Sequence, residues 1–289
     1  HGNTMAVSQL SSRKPPIGGY AANIRHVTAP DTLRPIGGNT AGQAEAFARE
    51  IQIAIDDLEA SGHGFSGFLF CPTFANEGLP NLPQDFMQPA AKVIHAAGGI
   101  LIADEVQPGF GRSGDTWWGH NWLGLSPDVV TLGKPMANGH PVAAVVARAE
   151  VMAAFRNALG YFNTFGGNPV SCSAAAATLD VIENENLVAN AKTIGAEFLQ
   201  NLQGLDHTSI ANTRGRGLFI ALELETDGVA DEALAAHVVE YARNNGMLMR
   251  RTGRNRTVLK LRPPMPFTAE NATLATEILN RSFQNAKTL

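Results

Sequence analysis

Two charged residues in one stretch of this chain have the types and spacing to act on a common ligand. Between Gly99 and Ala147 an aliphatic run, Ile100 to Ala103, ends in Asp104 and Glu105, and a second, Val129 to Leu132, ends in Gly133 and Lys134. Short aliphatic runs of this length read as buried strands. In an open α/β sheet, ligands sit at the carboxyl ends of the parallel strands. An acid and an amine would then face one bound molecule from two strands. A lysine amine left neutral by burial and neighbouring cations condenses with a carbonyl to a Schiff base. Pyridoxal phosphate offers such an aldehyde, and an acid at its ring nitrogen keeps the ring protonated as an electron sink. From these two residues alone, a salt bridge or a pair of unrelated loop charges is the simpler reading.

Other constellations carry less. Gly109, Gly111 and Gly114 match G-x-G-x-x-G, but a dinucleotide site needs those glycines directly after a strand and opening a helix. Here Asp104 to Pro108 intervenes and no helical period follows, so the match is set aside. Asp104 and Glu105 are neighbours on a strand and point to opposite faces, which argues against a paired general-acid site. The eight histidines show no HExxH or CxxC-type spacing, so no metal site is expected. Trp117, Trp118 and Trp122 could line a substrate mouth or serve as packed anchors. Arg250, Arg251, Arg254 and Arg256 read as a turn between two strands. Lys260 and Arg262 alternate with Leu259 and Leu261. Either could hold a substrate carboxylate or phosphate, arginine through its bidentate fork, and an exposed strand face explains them equally.

The elements that would position these groups can be followed along the chain. Residues 1–39 are rich in Gly, Pro and polar residues and read as an extended segment. Thr40 and Gln43 form a capping-box pattern before an apolar stripe of Ala44, Phe47, Ala48, Ile51, Ile55 and Leu58. Phe65–Phe70 is a strand, a helix spans about 85–97, and the Ile100 strand follows, a strand–helix–strand unit whose two strands run parallel. Val142–Ala147 is a further strand. Beyond it come helices to Leu159 and from Asn168 to Leu202, the latter broken near Asn184–Asn186. Strands are expected at Leu218–Leu224, Met247–Arg250 and Val258–Leu261, with helices at Asp231–Asn244 and Thr268–Asn285. The fold class is α/β with a smaller α+β part at the C-terminal end. The domain change lies along the Ala-rich helices, giving residues 1–180 and 181–289.

Composition narrows the function. The chain has 289 residues, 44% hydrophobic and 17% charged, with a net charge of −4. This is the make-up of a globular enzyme, without a basic field for nucleic acid or membrane or an apolar run long enough to span a bilayer. Cys71 and Cys172 suggest no disulfide framework but buried free thiols, which fits a reducing, cytoplasmic setting.

Three motifs then change the weight of the first pair. Asp104–Gly114 (DEVQPGFGRSG), Thr131–Val145 (TLGKPMANGHPVAAV) and Phe162–Cys172 (FNTFGGNPVSC) resemble, in order and spacing, segments of the class III (omega) pyridoxal-phosphate-dependent aminotransferases. Val258–Met265 (VLKLRPPM) adds a resemblance to one subgroup, the alanine–glyoxylate aminotransferase-like proteins and the phospho-lyases of phosphoethanolamine or phosphohydroxylysine. The resemblance implies the aspartate-aminotransferase-like fold (fold type I), a mostly parallel sheet with helices on both faces. It implies Lys134 as the Schiff-base lysine, Asp104 on the ring nitrogen, Val106 on the ring face and Gln107 near the phenolic oxygen. It has Thr164 contacting the phosphate of the neighbouring subunit's cofactor, hence a homodimer. His1 opens an HGNT motif that in this family lies well inside the protein, next to an aromatic residue stacked on the ring, so the family's N-terminal part is expected to precede it. Cys71 stands where many relatives have a glutamate that controls a substrate-binding arginine, which argues against the dual-substrate device of the ornithine and GABA enzymes. The implied reaction moves an amino group from an amine or amino acid to a keto acid or aldehyde. A phospho-lyase, or a fragment without activity, are the alternatives.

Overall fold

Phe47, Ala48, Ile51, Ile55 and Leu58, spaced three and four apart, form one buried stripe, the pattern that fastens a helix to a core. In the computed structural model, which describes residues 1–11 and 15–286, packing divides the chain into two compact units. One comprises His1–Pro72, Leu82–Gln107 and His120–Thr178, and the other Thr73–Asn81, Pro108–Gly119 and Leu179–Leu289.

In the first unit, helix α1 (Met5–Ser8) and a 3₁₀ turn at Ile36–Gly38 interrupt the otherwise irregular first 39 residues, of which 12–14 lie outside the described residues. Helix α2 (Gln43–Ala60) follows, but the capping box does not form. Its amide is already used, because Gln43 Oε1 accepts from Asp31 N at 2.9 Å and Ile36 N at 3.3 Å. Next come strand β1 (Gly67–Phe70), helix α3 (Gln88–Ala96) and strand β2 (Ile100–Asp104). After helix α4 (Gly119–Trp122) the chain forms β3 (Val129–Leu132), β4 (Ala144–Ala147), helix α5 (Ala149–Ala158) and helix α6 (Pro169–Asn184). The sheet order is β1-β2-β3-β4. The first three strands are parallel, with Asp104 opposite Thr131, and β4 runs antiparallel to β3. The result is the parallel-rich α/β arrangement that the sequence predicts.

The second unit holds helix α7 (Leu187–Gln203), strands β5 (Ile210–Arg216), β6 (Phe219–Thr226) and β7 (Val229–Ala230), helix α8 (Glu232–Asn244), strands β8 (Arg250–Thr252) and β9 (Val258–Leu261), and helix α9 (Ala269–Ala286). All pairings are antiparallel, in the order β5-β6-β9-β8, with β7 on β6. Ile220, Leu222 and Leu224 of β6 join Leu259 and Leu261 of β9 in one core with Phe198, Val238 and Phe283 from the three helices. The alternate residues face the segment 73–81. Arg214 Nε donates to Leu79 O at 2.7 Å and its terminal nitrogen to Gly78 O at 2.6 Å, and the same guanidinium pairs with Glu223 at 2.8 Å. Thr252 Oγ1 donates to Asn76 O at 2.7 Å. The two free cysteines correct one expectation: Cys172 is exposed and Cys71 half-buried.

Candidate functional site

Strand β2 ends on Asp104, and the parallel strand beside it, β3, ends two residues before Lys134. The acid and the amine therefore stand at the carboxyl ends of adjacent strands. Asp104 is 5% exposed. Its Oδ1 accepts from Val106 N at 2.9 Å, and its Oδ2 lies 2.5 Å from His1 Nδ1. Two such bonds hold the carboxylate in one orientation. Glu105, the first residue past the strand, takes different partners. It is fully buried, and its Oε1 accepts from His120 N at 2.8 Å and lies 2.7 Å from His120 Nδ1.

Lys134 opens a 3₁₀ turn, Lys134–Ala137, and is exposed rather than buried as the sequence reading required. Before it, Gly133 faces Val106, whose Cγ2 would lie 3.6 Å from a Cβ built at position 133. Val106 thus lays an apolar surface between the acid and the base of the lysine's turn. Gln107 is half-buried behind it. Thr164 is exposed, in a turn held by Asn163, whose Oδ1 accepts from Phe165 N at 3.1 Å and Gly166 N at 2.9 Å.

Lys260 and Arg262 belong to the second unit. The Lys260 ammonium is 8% exposed as a residue and donates to Ala75 O at 3.1 Å and Asn76 Oδ1 at 3.2 Å. In this structure it fastens the 73–81 segment. Arg262 is exposed, with its guanidinium 5.8 Å from the centre of the Phe219 ring. Sequence reasoning passed over its neighbour Arg112, which donates to Leu218 O at 3.2 Å and Pro263 O at 2.7 Å. Burial, with the charge of Arg262, lowers the Arg112 pKa to about 10. The signal was present, since Arg112 lies inside the quoted DEVQPGFGRSG motif.

The donor set fits the ring and aldehyde ends of pyridoxal phosphate. A buried, oriented carboxylate suits a pyridine nitrogen, an apolar side chain suits the ring face, and an accessible amine suits the aldehyde. Among the described residues no group of three or more His, Cys, Asp or Glu is placed to hold a metal ion. Among the described residues no helix is long and apolar enough to cross a membrane.

The parallel-rich sheet with its helices is the fold of the pyridoxal-phosphate proteins of fold type I. The class-III aminotransferase family model matches residues 1–283, and the chain belongs to that family. It is 36% identical to the alanine–glyoxylate aminotransferase 2-like protein of Drosophila melanogaster, over 94% of this chain and 58% of that protein. A solved phospholyase from Arthrobacter, in complex with phosphoethanolamine, superimposes with a TM-score of 0.92 at 37% identity, covering 98% of this chain and 68% of that one. An amine transaminase from an uncultivated Pseudomonas species, solved in its pyridoxal-phosphate-bound form, gives a TM-score of 0.79 at 28% identity, over 89% and 60%. The chain spans 50% to 58% of the length of the curated relatives first matched.

Proposed function

We propose that the protein, as part of a pyridoxal-phosphate-dependent aminotransferase, moves an amino group from an amine or amino acid to a keto acid or aldehyde. The observation that carries this reading is the placement of Asp104 and Lys134 at the carboxyl ends of adjacent parallel strands. When bound, pyridoxal phosphate supplies an aldehyde that condenses with amines and a ring that delocalises an electron pair. Asp104, oriented by Val106 N and His1, would accept a hydrogen bond from the ring nitrogen. His1 therefore acts through Asp104. Val106 would pack on the ring face and keep water from it, and Gln107 would lie beside the phenolic oxygen. With the cofactor bound, the Lys134 amine would hold it and, once freed by the substrate amine, would move a proton from the substrate carbon as general base and acid. Lys260 and Arg262 are proposed to hold a substrate carboxylate or phosphate, arginine through its bidentate fork.

Residues 1–180 would serve as the cofactor-binding part and 181–289 as the small domain. A homodimer is proposed, with Thr164 reaching the partner's cofactor. In support, Thr164 lies among exposed apolar side chains, Tyr161 at 69%, Phe162 at 85% and Phe165 at 80%, a surface that calls for a cover. A cytoplasmic location is proposed, with two cysteines outside any disulfide compatible with a reducing compartment.

A second reading, phospho-lyase activity on an amino-alcohol phosphate, is favoured by the likeness to the Arthrobacter enzyme. Incubation with pyridoxal phosphate and phosphoethanolamine separates the two. Phosphate released without an added keto acid selects the lyase, and pyruvate formed from alanine and glyoxylate selects the transferase. Lys134→Ala should abolish either turnover and the borohydride-stable cofactor adduct on the Lys134 peptide. Wild-type turnover in that variant would overturn the assignment.

A further inference from the structure

A buried hydroxyl joins the two turns on which the proposed chemistry depends. Ser171, in the first turn of α6, is 5% exposed, and its Oγ meets three partners. Asn168 Nδ2 donates to it at 3.0 Å, His140 Nε2 lies 3.0 Å away, and Pro141 O lies 3.4 Å away. A hydroxyl has one proton and two lone pairs. Pro141 O can only accept and the Asn168 amide can only donate through Nδ2. All three contacts are therefore satisfied in one arrangement, with His140 donating from Nε2 and Ser171 donating to Pro141 O. This selects the Nε2–H tautomer of His140.

Each partner leads to a different turn. On one side, Asn168 also donates to Phe165 O at 2.9 Å and its Oδ1 accepts from Ser171 N at 2.9 Å, which ties down the turn carrying Thr164. On the other, His140 N donates to Ala137 O at 3.0 Å, Asn138 N to Pro135 O at 3.1 Å and Met136 N to Gly133 O at 2.8 Å, back to the start of the lysine's turn. Asn138 sits in left-handed backbone at φ 45°, so the path from Lys134 to His140 has little slack.

We infer that Ser171 and His140 are positioning residues, which fix the Lys134 turn against the Thr164 turn through the Ser171 hydroxyl. The inference rests on the reading of Lys134 as the cofactor's amine and Thr164 as a phosphate contact. The test uses the full chain and four measurements on Ser171→Ala, His140→Leu and His140→Gln. These are circular dichroism, pyridoxal phosphate affinity, borohydride trapping, and the cofactor-free acetylation rate of Lys134 relative to exposed Lys92 by peptide mass. Loss of one such hydrogen bond should weaken cofactor affinity by about five-fold in Ser171→Ala and His140→Leu, with the relative acetylation rate of Lys134 shifted about three-fold or more. His140→Gln, which keeps an N–H donor, should restore both. Unchanged Lys134 acetylation and cofactor affinity in both disruptive variants overturn the inference. If Ser171→Ala does not fold, His140→Leu, altered at an exposed ring, decides. A wild-type chain that gives no Lys134 adduct sinks the functional reading instead, and the acetylation comparison still decides the positioning.

Discussion

Arg214→Met should destabilise the second unit more than any exposed substitution. Arg214 is 6% exposed, pairs with Glu223 at 2.8 Å and donates to Leu79 O, Gly78 O and Asn212 Oδ1 at 2.6–2.9 Å. Both members of the pair are nearly withdrawn from water, with side chains 5% and 4% exposed, so solvent cannot take over the lost bonds. Breaking a buried pair from one side costs about 3–5 kcal/mol, because Glu223 loses a neutralising charge and the segment 73–81 loses two of its anchors. At roughly 2–4 °C per kcal/mol, the melting temperature should fall by about 10 °C. Urea unfolding reads the free-energy loss and a thermal scan the melting temperature, with Trp117 and Trp118 reporting from the same unit and Trp122 from the other. The double variant Arg214→Met/Glu223→Leu should recover part of the loss, as replacing both charges removes the desolvation penalty along with the attraction. A loss below about 1 kcal/mol in the single variant would refute the reasoning, for that is the range of an exposed pair.

Two further outcomes are expected. Gly217→Ala should cost about 3 kcal/mol or more, since residue 217 has φ +52° and its Cβ would stand 2.4 Å from Ser113 C, combining strain with overlap against backbone; an unchanged urea midpoint would count against this. Asp128 should contribute a pH-dependent stability. Burial raises its pKa, but the Leu101 N–H at 2.8 Å, His95 at 3.0 Å and Arg148 at 3.0 Å outweigh burial and leave it lowered. A carboxylate depressed on folding stabilises fully above its unfolded pKa and loses that contribution as pH falls through the folded value. Asp128→Asn should melt below wild type at neutral pH, with the two profiles converging in acid, and parallel profiles would exclude the effect.

The sequence made some features plain because their signal is local. Ile100–Ala103 and Val129–Leu132 are aliphatic enough to be recognised as buried strands, and their ends placed Asp104 and Lys134. Asp231 was recognisable as a helix start, and it caps α8 by accepting from Leu234 N at 2.8 Å. Where the deciding interaction is distant, the pattern misled. Gln43 has the spacing of a capping box, yet its amide serves Asp31 and Ile36. Strand β5, IANTRGR, has no apolar alternation of its own and owes its extended form to pairing with β6. Lys260 looked open on an alternating strand because nothing near it in sequence reveals that Ala75 and Asn76 cover that face. The Ser171 hub was equally hidden, since its three partners assemble from residues 140, 141 and 168.

The anchoring of residues 73–81 has a consequence for synthesis. Arg214 holds the carbonyl of Gly78, 136 positions earlier, and at 5–20 residues per second the ribosome needs roughly 7 to 27 seconds to deliver it. Throughout that interval Phe74 and Leu79, both buried in the finished protein, lack the β5-β6-β9-β8 sheet of their own unit. The nascent chain therefore carries an open hydrophobic turn well before its cover exists, and a chaperone that binds such turns would find it there.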